Sequence, residues 1–333
     1  MQYMGMLSER DADFAELLAV FDTLRALNPD DRRPLGMVSN LLREEGRLDE
    51  VLAWRYGAFG DRMPEGMPWH LARLSTDYMN LGLYEQAMEP GLMTWETRPS
   101  SATHFMHILW TRLGEPEKAE AMLERDVKTV GVASPGGLMH YADSHASALG
   151  RYDRAKDLYE QALASQDLPM LCEEEDDCVV WNALMLVRTE RALGNDRAAD
   201  EWLAVAEAAI DSEEENTPGD TVDNRLSLLD AMLLIAHRQY LEAVAMLRKI
   251  AFDWDTEGGQ DLELPIYLLE NAALFDPLRD MPEFQQLLDD YNARLEPMRQ
   301  RVLEAQRSGD WEALRQRTYQ WAHQSTGESA SGS

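Results

Sequence analysis

The sequence predicts an all-α protein built of antiparallel helix pairs stacked side by side, and three observations carry that prediction. One phrase recurs: a Gly or polar residue, then an aromatic or Leu, then an acid, then an Ala four to five residues on. Apolar residues at helical spacing flank each copy on both sides, so each unit reads as helix, tight turn, helix. Helix-start residues open the first helix of several units: Pro68 before Trp69, Ser100 and Ser101 after Pro99, Ser134 with Pro135, and Thr221 or Asp223 ahead of Leu226.

The clearest copy begins Gly150-Arg151-Tyr152-Asp153-Arg154-Ala155 and continues into Tyr159, Ala162 and Leu163. Weaker copies start at Gly46, Gly82, Gly114 and Gly194, and a last one at Arg238, where Arg stands in the glycine's place. The anchors are separated by 36, 32, 36, 44 and 44 residues; the acidic runs 173–177 and 213–215 lengthen the last two connections and are expected to splay those units. Small Ala residues in the second helices let neighbours approach, while Tyr84, Tyr152 and Tyr159 fill gaps between pairs. One pair cannot cover its own apolar face, so pairs must stack.

The tail reads differently. Residues 265–274 form one expected helix, 275–282 a turn, and 283–307 a long amphipathic helix. Gly309-Asp310 breaks the pattern before a final helix over 311–323, and the small polar residues 324–333 read as disordered. The long helix, with Phe284, Leu287, Leu288, Tyr291, Leu295, Met298 and Val302 near helical spacing, is expected to cap the array's last apolar face.

Gly150, Tyr152, Ala155, Tyr159 and Ala162 match in type and spacing the unit of the tetratricopeptide-repeat family, which this sequence resembles over about residues 32–253. The resemblance implies stacking in a right-handed superhelix, with residues 1–31 a partial N-terminal repeat, since Ala26-Leu27-Asn28-Pro29 looks like a unit's end. Residues 254–323 would then be a helical cap and 324–333 a tail. The stretch Asp276-Pro277-Leu278-Arg279 with Pro282, Phe284 and Leu287 resembles the closing segment of such modules at the C-terminal ends of bacterial winged-helix regulators and adenylate cyclases. That likeness implies a sensory or partner-binding module, cytoplasmic, or periplasmic if it is the distal part of a membrane-anchored regulator.

Composition narrows function. In 333 residues, 31 Lys and Arg face 61 Asp and Glu, a formal net charge of -30 that repels phosphate backbones and anionic lipid head groups. Glu9, Arg10, Asp11 and Asp13 interrupt any export signal at the N-terminus, and no apolar stretch approaches the ~20 residues of a membrane span. Catalysis and cofactor binding find no motif: GxSxG, GxGxxG, a Walker loop and HExxH are all absent, and Asp143-Ser144-His145 is contiguous, so on a helix its side chains diverge. His104, His107, His140 and His145 lack convergent zinc spacing, and residues 253–264 open like a calcium loop but carry Leu264 where a bidentate Glu is required. Cys172 and Cys178 read as free thiols in a reducing compartment, though the five acidic residues between them leave a short-loop disulfide geometrically possible. No metal and no cofactor is expected.

The informative constellation comes from aligning the first helices of the four middle units on their Gly anchors. In the tetratricopeptide family, residues 13, 10, 9, 6, 3 and 2 places before that Gly line the concave groove where partner segments lie. Here they are Trp69, Ala72, Arg73, Thr76, Met79 and Asn80; Ser101, His104, Phe105, Ile108, Thr111 and Arg112; Gly137, His140, Tyr141, Ser144, Ser147 and Ala148; and Trp181, Leu184, Met185, Arg188, Arg191 and Ala192. These 24 positions hold four Arg, two His and no acid, where the chain's own frequency of 61 in 333 would place about four acids. Burial would also exclude acids, but it does not account for arginines. The expected function is a non-catalytic scaffold whose groove takes a protein or peptide segment carrying acidic side chains or a terminal carboxylate. Arg73, Arg112, Arg188 and Arg191 would grip the carboxylates while Trp69, Phe105, Tyr141 and Trp181 supply flat apolar contact, with Asn80, His104, His140 and Ser144 beside them. A sensory module, a small-ligand receptor and a histidine-metal enzyme are the alternatives.

Overall fold

In the computed structural model the described residues are 14–27, 33–59, 68–97, 99–126, 135–164, 175–216, 228–252 and 264–329. Every element among them is helical. The chain divides into two compact units, one of residues 67–293 and one joining 1–66 with 294–333. No helix among the described residues is long and apolar enough to cross a membrane.

Among the described residues the larger unit holds five helix hairpins: α4 (Pro68–Asn80) with α5 (Tyr84–Thr97), α6 (Pro99–Arg112) with α7 (Pro116–Asp126), α8 (Pro135–Leu149) with α9 (Tyr152–Leu163), α10 (Glu175–Ala192) with α11 (Asp196–Asn216), and α12 (Leu228–Ala236) with α13 (Tyr240–Phe252). First helices also meet first helices of the next pair, α4 on α6, α6 on α8 and α10 on α12. The turn between partners depends on its anchor residue: Gly82, Gly114, Gly150 and Gly194 all have φ between 62 and 79°. A Cβ there is costly, which explains the glycines. Arg238 takes the same conformation at φ 61°, so the fifth hairpin closes as the others do although its anchor carries a side chain.

The small-residue positions mark close approach. Gly91 in α5 sits where a Cβ would lie 2.8 Å from Met106 Sδ and 3.1 Å from Ser75 Oγ, and the Ser75 hydroxyl donates to the Ala87 carbonyl at 2.8 Å. Tyr159 is wholly buried and its hydroxyl donates to Asp143, whose carboxyl burial raises to about 6. After the hairpins come α14 (Ile266–Asn271), a 3-10 turn (Ala273–Leu278) and α15 (Pro282–Ser308). The sequence expectation of one helix over 265–274 fails at Ala272, whose ψ of 131° is extended. Three carbonyls freed there, of Leu269, Glu270 and Ala272, accept from the Arg279 guanidinium at 3.4, 2.8 and 3.0 Å.

In the smaller unit α2 (Arg33–Glu44) and α3 (Leu48–Phe59) form a hairpin about Gly46, with α1 (Phe14–Leu27) on α2. The final helix α16 (Glu312–Ser329) packs on α3 and α1. It runs six residues past the expected end at 323; residues 330–333 of the expected disordered tail lie outside the described ones. Trp54 is the centre: its ring meets Phe21 edge-on at 4.8 Å, and its Nε1 donates to Thr318 Oγ1 at 2.9 Å. Thr318 in turn donates to Glu50 at 2.7 Å, and Arg47 donates to the same carboxylate, which is 1% exposed. Asp49, 2% exposed, accepts from Arg301 Nε at 2.6 Å. The two acids of the repeat phrase are thus buried and paired, as burial of a charge requires.

Candidate ligand-binding face

In the larger unit, the segment running from α14 through the 3-10 turn lies against four first helices and one second helix. The α14 helix packs on α4, and the 3-10 turn packs on α8, α10, α12 and α13. The backbone N–H of Ala273 donates to Ser147 Oγ on α8 at 3.0 Å.

Two carboxylates of this segment are held in the same way. Glu270 Oε2 accepts from Arg112 Nη2 at 2.6 Å and from the Tyr84 hydroxyl at 2.6 Å, with the Arg112 guanidinium 5.0 Å above the Tyr84 ring. Asp276 Oδ2 accepts from Arg188 Nη2 at 3.0 Å and from the Tyr152 hydroxyl at 2.6 Å, with the Arg188 guanidinium 5.1 Å above the Tyr152 ring. Arg188 Nε also donates to the Ala273 carbonyl at 2.9 Å, and Arg279 Nε to Asp276 Oδ1 at 2.8 Å. Each tyrosine thus lies beneath a guanidinium and donates its hydroxyl to the carboxylate that the same guanidinium holds. Burial first, and then the neighbouring carboxylate, raise Tyr84 far above its ordinary value and Tyr152 to about 12, so both hydroxyls stay protonated donors.

The twelve residues singled out from the sequence divide by environment. Arg112 and Arg188 meet acidic groups, and those groups belong to this chain. Arg191 pairs with Asp200 at 3.9 Å, and Arg73 is exposed. Trp181 is half-buried. Asn80, Phe105, Tyr141 and Ser144 are buried, Ser144 within 3.0 Å of His107 Nδ1. The side chains of Trp69, His104 and His140 lie outside the described ones, as do that of Cys178 and the whole of Cys172 and residues 253–263. Among the described residues no group of three or more His, Cys, Asp or Glu could hold a metal ion.

Sequence reasoning did not reach Tyr84 and Tyr152 as donors, nor Glu270 and Asp276 as their acceptors. The readable signal is positional: both tyrosines stand two residues after an anchor glycine, Gly82 and Gly150.

Stacked helix hairpins with a polar, arginine-bearing face define a helical-repeat protein. No protein-family model matches the chain, and no curated protein matches it. Among solved structures, a tetratricopeptide repeat protein from Parabacteroides merdae ATCC 43184 is similar at 15% identity and a TM-score of 0.47, over 88% of this chain and 100% of that one.

Proposed function

We propose that the unit of residues 67–293 is a non-catalytic scaffold whose first-helix face receives an acidic segment of a partner polypeptide. One observation supports this above the rest: a segment of the chain's own, α14 and the 3-10 turn, lies on that face with two carboxylates six residues apart, each on a tyrosine–arginine pair. A partner segment with acids at similar spacing meets the same four donors, and the forked guanidinium suits carboxylate better than any other group at hand. The strongly negative remainder of the surface disfavours acidic segments elsewhere.

The test is a titration of a fluorescent peptide of residues 264–281 with the full chain carrying E270Q and D276N, which weakens the internal segment without touching the face. Saturable binding is expected, and it should vanish when R112M and R188M are added. Equal binding with and without those two arginines would refute the reading.

A further inference from the structure

A second feature of the same unit is left over by that reading. Between α10, α12, the start of α13 and the 3-10 turn is a cleft of about 220 Å³. Its polar wall is Arg188, Arg191, Arg238, Tyr240 and Asp196, and its apolar wall includes Leu184, Met232, Ile235, Leu274 and Pro277. Two of the three cations have partners: Arg188 holds Asp276, and Arg238 holds Asp196. Arg191 differs. Its side chain is 16% exposed and its Nε has no hydrogen-bond partner among the described residues; of its acidic neighbours, Asp200 stands 3.9 Å away and is 73% exposed, and Asp196 is taken up by Arg238. Burial first, and then the nearby positive charge of Arg238, lower its proton affinity, and Asp200 and Asp196 offset this only in part. With Arg188 and Arg238 paired, the Arg191 guanidinium is the cleft's charge that an incoming anion can compensate. In a chain of net charge -30, a cleft with more arginines than acids is the reverse of the surrounding field.

We infer that this cleft is a binding site for a small carboxylate with a compact apolar body, the carboxylate accepting from Arg191 and the body lying against Leu184, Met232, Ile235 and Leu274. Size argues for a small ligand: a dry cavity of ~150 Å³ holds benzene, so this cleft takes a group somewhat larger. The chemistry is shared by a free aliphatic acid and by the C-terminal residue of a polypeptide, and the experiment separates them. This inference goes beyond the scaffold reading, since Arg191 is not engaged by the internal segment.

The experiment is calorimetric titration of the full chain at low ionic strength with 4-methylpentanoate, with 4-methylpentanamide, and with acetyl-glycyl-leucine as acid and as amide. One site per chain is expected for an acid, at least about tenfold weaker for its amide, since a charge-assisted bond is lost. The variant R191M should weaken the acid by a similar factor, and R73M, on an exposed arginine of another helix, should leave it unchanged. If R191M does not fold, R238G serves, because it removes a cation at a position whose backbone already suits glycine; a severalfold weakening is expected. Tighter binding of the free acid assigns the site to a small metabolite, and tighter binding of the leucine peptide assigns it to a chain terminus. Acid and amide binding alike, indifference to both arginine variants, or binding of neither acid overturns the inference. None of these outcomes bears on the 264–281 peptide titration, so the two readings fail separately.

Discussion

Replacing Asp276 by Asn should loosen the internal segment while leaving the face beneath it intact. The Asp276 carboxylate accepts from Arg188 at 3.0 Å, Tyr152 at 2.6 Å and Arg279 at 2.8 Å. Asn keeps the shape, removes the charge and turns one acceptor into a donor facing donors. Hydrogen bonds to charged groups contribute about 1.5–3 kcal/mol, and with the carboxylate 32% exposed the lower part of that range applies, about 2 kcal/mol for the substitution. Hydrogen exchange reads this directly. The Ala273 amide is bonded to Ser147 on α8, so it exchanges when the segment lifts away. A loss of about 2 kcal/mol corresponds to ~30-fold faster exchange of peptides covering 266–279, with α4–α13 unchanged. R188M should give a similar acceleration, and the double variant should fall short of the product of the two by a coupling of about 1 kcal/mol. Exchange in D276N within threefold of wild type, or two strictly additive singles, would refute the clamp.

Asp143 supplies a pH dependence. Its carboxyl is raised from 3.8 to about 6 by burial, so the folded state binds the proton more tightly than the unfolded one. That contribution is complete below pH 4 and is lost as pH rises through 6. D143N should therefore exceed wild type in stability at pH 7.5 by about 1–3 kcal/mol, with the gap closing toward pH 4 in urea titrations; a gap independent of pH would show that burial is not the cause. Two glycines separate crowding from backbone strain. G91A should lower the stability of the larger unit by about 1–3 kcal/mol, because its Cβ meets Met106 and Ser75. G150A meets nothing within 4 Å, so thermal unfolding should show only the left-handed backbone cost of about 1–2 kcal/mol.

The hairpins were legible because a local rule sets them. A residue that must turn left-handed is usually Gly, a first helix starts at Pro68, Pro99 or Pro135, and periodicity supplies the rest. Even Arg238 adopts the turn its alignment assigns, since packing on both sides outweighs a strain of about 1–2 kcal/mol. Arg112 and Arg188 stand out for a compositional reason: basic residues without acids among them are conspicuous in so acidic a chain. Their engagement was not legible. Glu270 meets Tyr84 across 186 residues and Asp276 meets Tyr152 across 124, pairings no spacing rule encodes. The break at Ala272 was hidden for the same reason, because a side chain beyond the local window, that of Arg279, takes up the carbonyls. Phe105 and Tyr141 were assigned to a groove by register, whereas both are buried.

An internal occupant also fixes how a partner's affinity must behave. A trans segment binds only chains whose own segment has lifted, so its apparent dissociation constant is the intrinsic one divided by the open fraction. If closure is favoured by about 3 kcal/mol, fewer than about 1% of chains are open, and affinity is weakened more than about a hundredfold. D276N leaves Arg112, Arg188, Tyr84 and Tyr152 in place, so it alters the open fraction and nothing the partner touches. The factor by which it speeds exchange at 266–279 must therefore equal the factor by which it tightens the 264–281 peptide, as long as the open form stays a minority. One free energy is read twice, by methods with no shared error. Faster exchange without tighter binding would place the peptide's site off this face, and tighter binding without faster exchange would mean that the substitution acts other than by opening it.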